Sequence, residues 1–85
     1  MYQIEIKSSA EKYLSKIPYK YHEKVKEKID GLARNPFPPG CKKLKAPEKD
    51  QYSIRAGQYR VVYEVYQDEL LILVVKIGHR KDVYR

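Results

Sequence analysis

Apolar and polar residues alternate at the start of the chain. In residues 2–7 the apolar side chains fall at every second position, which is typical of a strand with one face in the core. Ser8 follows, with Glu11 three positions later, and this pair has the spacing of a capping box at the first turn of a helix. The pattern therefore predicts a short half-buried strand that runs directly into a helix.

Two helical patterns follow this strand. Pro18 separates them, because proline ends one helix and suits the first turn of the next. The second helix is predicted from about residue 19 to residue 34, where Asn35-Pro36 terminates it. The apolar positions of both recur at the spacing of a helix with one buried face; they are Ala10, Tyr13, Leu14, Ile17, Tyr21, Val25, Ile29 and Leu32.

The middle of the chain reads as connecting structure. Residues 36–40, PFPPG, are too rich in proline for a helix or a central strand and predict an extended linker. The segment from Cys41 to Lys45 is expected to point its lysines outward while Leu44 anchors to the core. Residues 46–50 are expected to form a loop.

Three strands are predicted in the last third of the chain, over residues 51–56, 59–66 and 70–77. Gly57-Gln58 fits a two-residue hairpin turn of type II′, which favours glycine first. The third strand is apolar at almost every position, which indicates burial on both faces, and Gly78 is expected to end it. The predicted fold is α+β, with two N-terminal helices on one face of a small, largely antiparallel four-stranded sheet. The order is strand–helix–helix–strand–strand–strand, in a single domain spanning residues 1–85.

The predicted turn sets Arg55 directly opposite Arg60 on one face of the sheet. Opposed like charges destabilise a sheet by up to about 1 kcal/mol, so the pair has two interpretations: an anion binds between the arginines, or both are simply solvated. The sequence does not decide which face of the sheet Lys76 occupies. A three-residue loop before the third strand would bring Lys76 opposite Arg60, and a two-residue loop would turn it to the other face.

The chain is basic, with 18 Lys and Arg against 11 Asp and Glu, a formal charge of +7. Residues 41–60 alone carry six basic and two acidic residues, an excess that favours either a polyanion or an acidic protein as partner. A single cysteine and the absence of a CxxC motif or His cluster predict no internal disulfide, no metal and no cofactor. The sequence shows neither a signal peptide nor an apolar run long enough for a membrane, so the expected location is the cytoplasm.

Three segments of the sequence resemble one family. They are NPxPPGxKKL before the loop, YxIRxGxYRVVYEV through the hairpin, and VxxIGHRKDVY at the end of the chain. Together they resemble the RelE/ParE superfamily of type II toxins, and within it the RelE-like mRNA interferases, over the whole chain. The same fold also carries gyrase poisons and inactive relatives.

The resemblance implies a toxin that cuts mRNA in the A site of the 70S ribosome without a metal. The 2′-hydroxyl of the RNA attacks the neighbouring phosphate, leaving a 2′,3′-cyclic phosphate (or a 3′-phosphate) and a 5′-hydroxyl end. A cognate antitoxin is implied as the inhibitory partner, and the toxin–antitoxin complex is expected to bind operator DNA through the antitoxin. The alternatives are a ParE-like gyrase inhibitor and a non-catalytic antitoxin- or nucleic-acid-binding module.

The catalytic positions of the family fall on Arg55, Arg60, Arg80 and Tyr84. Arginine remains protonated, so the three arginines are expected to hold and stabilise the phosphate while another group moves protons. Family resemblance favours Tyr84 as the general base, and the ordinary pKa of histidine favours His79. Where several relatives carry a lysine, this chain has Ser53. The remaining predicted RNA contacts are Lys42, Lys43, Lys45, His79 and Lys81.

Overall fold

The computed structural model describes residues 1–45 and 49–81. Two helices and five strands are formed, in the order β1 (Gln3–Ile6), α1 (Ser8–Lys16), α2 (Tyr19–Gly31), β2 (Lys42–Leu44), β3 (Gln51–Ala56), β4 (Tyr59–Tyr66) and β5 (Leu71–His79). The strands form one sheet with the spatial order β1-β5-β4-β3-β2. β1 runs parallel to β5, and the other neighbours are antiparallel. The α+β class is confirmed.

The predicted strand count of four is wrong, because Lys42–Leu44 forms a fifth strand. β2 pairs with the first half of β3, from Lys42 opposite Ser53 to Leu44 opposite Gln51. Its three residues show no alternation that a sequence pattern would reveal, and lysines are common on edge strands, where they discourage pairing with other chains. Leu44 is half-buried and lies outside the main core, so its expected anchoring role is also wrong.

Both helices pack on the same face of the sheet. The buried stripe of α1 is Ala10 and Leu14, and that of α2 is Val25 and Ile29, at the predicted helical spacing. They meet every second residue of the inner strands. The core cluster consists of Ala10, Leu14, Ile17, Val25, Ile29, Leu32, Ile54, Ala56, Val61, Tyr63, Val65, Ile72, Val74 and Ile77.

The helix ends differ in detail from the predicted ones. α1 begins at Ser8, but Lys7 occupies the N-cap position and makes no side-chain capping bond, so the capping box is wrong. Instead the Glu11 N–H donates to the Lys7 carbonyl oxygen at 2.9 Å. α2 ends at Gly31, three residues early, since the N–H groups of residues 32–34 bond to carbonyls three positions back.

The β3–β4 hairpin has the predicted register. Ala56 lies opposite Tyr59, and Arg55 lies opposite Arg60. Gly57 has a φ of +64°, while Gln58 has no positive φ, which is the combination of a type II′ turn. The single glycine therefore sets which residues of the hairpin face the helices.

The β4–β5 connection differs from both loop lengths considered in the sequence. Tyr66 pairs with Leu71, so four residues form the loop, and a bulge follows at Val62 and Tyr63. The prediction that Gly78 ends this strand is wrong, because β5 continues to His79. Since the bulge places one extra residue in β5, it decides which face Lys76 occupies.

Tyr63 ties the proline-rich segment to the centre of the sheet. Its side chain is fully buried, and its hydroxyl donates to the Pro36 carbonyl oxygen at 2.7 Å. Phe37 packs edge-on against Tyr52 with ring centroids 5.0 Å apart. Burial raises the pKa of Tyr63 well above its ordinary value, because the phenolate would lose its hydration.

Neither helix described in residues 1–45 and 49–81 combines the length and apolar composition needed to cross a membrane.

Replacing Gly31 by alanine should raise the free energy of unfolding by about 0.5–1 kcal/mol, because Gly31 is helical and an added Cβ meets nothing within 4 Å. Gly40→Ala is the matched control: its Cβ also has open space, but its φ of +89° is unfavourable for alanine. Urea unfolding should show the first variant stabilised and the second destabilised. Equal shifts for both would contradict this account of the two glycines.

Replacing Tyr63 by phenylalanine should lower stability at pH 8 by about 1 kcal/mol, because the buried Pro36 carbonyl loses its donor. The pKa of Tyr63 is higher in the folded state than in the unfolded state, where it is near 10. The contribution of Tyr63 to stability is therefore fully present below pH 10 and falls as the pH rises above it. Between pH 8 and 11 the unmodified protein should therefore lose more stability than Tyr63→Phe, by on the order of 1 kcal/mol. Urea unfolding at both pH values measures this, with the exposed Tyr19→Phe as control; parallel pH profiles would refute it.

Candidate nucleic-acid interface

The face of the sheet that the helices leave uncovered, here called the open face, carries two rows of side chains near the β3–β4 turn. Residues paired across antiparallel strands share a face, so the rows follow from the register. The row nearer the turn contains Arg55, Arg60 and Gly78. The next row runs across four strands and contains Lys42, Ser53, Val62 and Lys76.

The opposed arginines form the centre of the candidate site. Directly opposite residues have Cβ atoms about 5 Å apart, so both guanidinium groups are able to reach one anion between them. Arg55 is exposed, and its Nε–H donates to the Gly57 carbonyl oxygen at 3.2 Å, which holds it toward the turn. Gly78 lies opposite Arg60 on β5 and adds no side chain to this row, and Arg60 itself is half-buried.

The second row has lysines at its ends and uncharged residues in its middle. Ser53 and Val62 are 0% and 4% exposed, whereas Lys42 and Lys76 are both exposed. Three strand spacings separate the lysines, which places their backbones roughly 14 Å apart. The two rows together give the open face a cluster of four cations around an uncharged floor, here called the basic cluster: Lys42, Arg55, Arg60 and Lys76.

Glu64 lies on the same face but toward the opposite end of the sheet. Its carboxylate accepts hydrogen bonds from Gln51 Nε2 at 3.1 Å and from the Tyr66 hydroxyl at 2.7 Å. The bond to Glu64 raises the pKa of Tyr66, and the Lys49 ammonium lies 4.4 Å from the centre of the Tyr66 ring. This carboxylate is therefore engaged away from the basic cluster and does not neutralise it.

Arg80 directly follows β5 and is brought to the same end of the sheet. Its backbone N–H donates to the Gln58 carbonyl oxygen at 2.8 Å, which ties it to the β3–β4 turn. Its side chain is exposed, as is that of Lys81. Tyr84, the predicted general base, lies outside the described residues.

His79 lies on the helix side of the sheet, because it pairs with Tyr59. Its ring meets the Tyr59 ring edge-on at 5.8 Å, and its Nδ1 accepts a hydrogen bond from the Lys81 N–H at 3.3 Å. Its own N–H donates to the Tyr13 hydroxyl at 3.1 Å. The structure thus does not bring His79 together with Arg55 and Arg60, although it lies at the same end of the sheet.

The three predicted lysine contacts around β2 are separated by the strand. Lys42 faces the open side opposite Ser53, while Lys43 is opposite Tyr52 and points to the other side. Lys43 forms an ion pair with Asp50 at 3.0 Å, and this hydrogen bond raises its pKa. Lys45 follows the strand and is exposed. Of the three, Lys42 joins the basic cluster.

Lys76 is the member of the basic cluster that sequence reasoning left unassigned. It lies opposite Val62 because the bulge shifts the register between Val62 and Tyr63. Without the bulge, the continuous pairing from Tyr66 and Leu71 would have turned Lys76 toward the helices. No residue type in this segment signals the bulge, so the sequence alone held no means of placing Lys76.

The chemistry that the open face offers is stabilisation of negative charge. Within residues 1–45 and 49–81, no group of three or more His, Cys, Asp or Glu is placed to hold a metal ion. Arginine remains protonated at any physiological pH, and its planar fork matches two oxygens of a phosphate. A phosphodiester is thus the kind of anion that this geometry suits.

Comparisons with known proteins agree with one another. The chain matches the family model of the ParE toxin of the type II toxin–antitoxin system parDE over residues 4–84. It is 33% identical to the putative toxin RelE1 of Methanocaldococcus jannaschii, covering 99% of this chain and 96% of that protein. It is 29% identical to the toxin RelG of Mycobacterium tuberculosis, covering 99% of this chain and 97% of the relative.

Solved structures give the same result. The archaeal RelE–RelB complex of Pyrococcus horikoshii matches with a TM-score of 0.83 and 28% identity, over 96% of this chain and 98% of the other. The RelBE2 toxin–antitoxin complex of M. tuberculosis matches with a TM-score of 0.80 and 25% identity, over 93% of this chain and 98% of the other. The chain therefore belongs to the RelE/ParE family of type II toxin–antitoxin toxins.

Proposed function

We propose that this toxin is a ribosome-dependent endoribonuclease that cleaves mRNA in the ribosomal A site. The observation that carries the proposal is the placement of Arg55 opposite Arg60 on the open face, beside the turn to which Arg80 is bonded. A fold stabilised by its helix-side core has no need of opposed cations at this position. A phosphodiester bound between them offsets their repulsion.

The proposed reaction needs no group other than the RNA and protein side chains. The 2′-oxygen forms a bond to the adjacent phosphorus while the bond from phosphorus to the 5′-oxygen breaks, giving a 2′,3′-cyclic phosphate and a 5′-hydroxyl. Negative charge grows on the phosphorane oxygens during this step. Arg55, Arg60 and Arg80 stabilise that charge from fixed positions, which is more effective than reorganising water.

Proton transfer is assigned to Tyr84, following the family resemblance. A phenol near several guanidinium groups loses its proton more readily, since neighbouring positive charge favours the phenolate. Ser53, at a position where several relatives have lysine, adds no cation to the floor of the site. His79 points to the helix side, so its placement supports a role at the margin of the RNA site rather than at the scissile phosphate.

The proposed partners follow the family. A cognate antitoxin inhibits the toxin, in keeping with the RelE–RelB and RelBE2 complexes among its structural neighbours. The basic cluster, together with the exposed Lys45 and Lys81, binds mRNA and the 70S ribosome through phosphates. The toxin–antitoxin complex binds operator DNA through the antitoxin, and the toxin acts in the cytoplasm.

A second candidate is inhibition of DNA gyrase, favoured by the match to the ParE family model. Such an inhibitor acts by binding, and it has no requirement for arginines around a single phosphate. The two functions therefore differ in what the loss of Arg60 does, and the experiments below separate them.

Inorganic phosphate should stabilise the protein through the arginine pair. At about ten times its dissociation constant, a ligand that binds only the folded state adds about 1.4 kcal/mol. Thermal unfolding in phosphate, compared with chloride at equal ionic strength, should show a higher midpoint for the unmodified protein and a smaller difference for Arg55→Ala. Arg34→Ala removes an exposed arginine in the turn that follows α2 and should behave like the unmodified protein. Equal phosphate effects in all three proteins would contradict an anion site at Arg55.

Replacing Arg60 by alanine should lower the rate of mRNA cleavage on ribosomes by about 10²–10³-fold, the usual effect of losing one group that stabilises transition-state charge. Primer extension on the mRNA measures the rate through new 5′ ends phased with codons. Arg34→Ala serves as the charge-matched control, and antitoxin binding and thermal unfolding verify that Arg60→Ala is folded. Cleavage by Arg60→Ala at the rate of the control would exclude the proposed site, and growth arrest without codon-phased ends would support the gyrase alternative.

A further inference from the structure

A small cleft lies on the helix side of the sheet, at the same end as the basic cluster. It lies between the end of α1 and the start of β4, has a volume of about 150 Å³, and is lined by Tyr13, Lys16, Ile17, Pro18 and Tyr59. A cavity of about this volume accommodates a single benzene-sized ring. The lining combines two aromatic rings, a proline ring, an aliphatic side chain and one cation.

The two aromatic walls of this cleft are held in place by contacts behind them. The Tyr13 hydroxyl accepts the His79 N–H at 3.1 Å. The Tyr59 ring meets His79 edge-on at 5.8 Å and Tyr21 at 6.0 Å. Both tyrosines are half-buried against the core, so part of each ring is anchored and part faces the cleft. A flat ligand would thus meet preformed walls, which lowers the entropy lost on binding.

Cations connect this cleft to the basic cluster around the end of the sheet. Arg60 follows Tyr59 in β4 and points to the opposite face. The Arg80 N–H donates to the carbonyl oxygen of Gln58, which lies in the β3–β4 turn just before Tyr59. Lys16 lines the cleft, and Lys20 lies 5.0 Å from the centre of the Tyr21 ring. Aromatic rings for bases combined with cations for phosphates are the features of single-stranded nucleic-acid sites.

We propose that the cleft lined by Tyr13, Lys16, Ile17, Pro18 and Tyr59 receives a nucleobase of the RNA that is bound at the basic cluster. The base stacks on the ring of Tyr59 or Tyr13, and the RNA backbone passes the end of the sheet near Arg80. The inference rests on the proposed function for the RNA itself. It assigns to Tyr13, Tyr59 and Lys16 a binding role in addition to packing.

Nuclear magnetic resonance titration of the isolated protein tests base binding directly. Adenosine and uridine monophosphates are the probes, and ribose 5-phosphate is the control that carries the phosphate without a base. The nucleotides should shift the Ile17 methyl signals and the His79 amide, whereas ribose 5-phosphate should shift only the Arg55 and Arg60 Nε signals. An unmoved Ile17 with every probe, or equal shifts with ribose 5-phosphate, overturns the base cleft. Arginine signals that respond to none of the three probes count against the phosphate site instead.

Cleavage kinetics on ribosomes provide the second test. Tyr59→Leu keeps an apolar side chain but removes the stacking face, and Lys16→Glu reverses an exposed charge with no role in the core. Each should lower kcat/KM by about 5–100-fold, the range expected for losing one base–aromatic stack. Lys26→Glu makes the same charge change on the outer face of α2 and should stay within about twofold of the unmodified protein. Equal kcat/KM values for the Lys16 and Lys26 variants, with both proteins folded, overturn the proposal.

The source of the base is settled by changing the mRNA rather than the protein. An abasic nucleotide is introduced in turn at each position flanking the cleaved phosphate. Where the base in the cleft comes from the mRNA, one abasic position should abolish the difference between the unmodified protein and Tyr59→Leu. Where it comes from ribosomal RNA, the difference should persist at every position. Loss of the difference at one position supports the cleft as a site for an mRNA base, and a difference of equal size at every position overturns an mRNA base as its occupant.

Discussion

Burial of one face of the sheet beneath α1 and α2 is the interaction on which the rest of this structure depends. Strand side chains alternate between faces, so placing Val61, Tyr63 and Val65 against the helices forces Arg60 and Val62 to the opposite side. A shift of one residue would bury Arg60 and expose Val61, at a large loss of hydrophobic stabilisation. The same apolar contacts that hold the fold together therefore also orient the cations.

Burial of the helix side of the sheet allows the open face to carry opposed arginines. Two opposed arginines destabilise a hairpin by a few tenths to about 1 kcal/mol. One fully buried aliphatic side chain contributes about 1.5–3 kcal/mol, so a core of this composition tolerates the repulsion. Ser53 and Val62 give the cluster an uncharged, buried floor, and Gly78 is the neighbour of Arg60 on β5. Stability thus comes from the helix side of the sheet, and the other side carries the concentrated positive charge of the basic cluster.

Much of the fold and part of the candidate site were predictable from the sequence. Helical spacing found the buried stripes of α1 and α2, and Gly57-Gln58 fixed the hairpin register that sets Arg55 opposite Arg60. These features depend on local patterns of apolar residues and on glycine. The placement of His79 against Tyr59 depends on β5 continuing through Gly78, where a glycine suggested an end.

Other features depend on pairing between distant segments, which no local pattern reports. β2 is a strand because Lys42–Leu44 meets β3, and its own residues show no alternation. The bulge that turns Lys76 to the open face comes from the fit between β4 and β5. The N-terminal boundary of α1 was predicted correctly for a mistaken reason, because backbone geometry at Lys7 rather than a Ser8 capping bond begins the helix.

The parallel pairing of β1 with β5 has a consequence for folding during synthesis. Residues 3–6 pair with residues 71–74, so β1 cannot join the sheet until β5 has been synthesised. A nascent chain that has reached the end of β4 contains the residues of both helices and of the β3–β4 hairpin but lacks β5, the strand between β1 and β4. Contacts between such distant segments form late in folding. The sheet of this toxin is therefore completed only after residues 71–74 have been synthesised and have paired with β1.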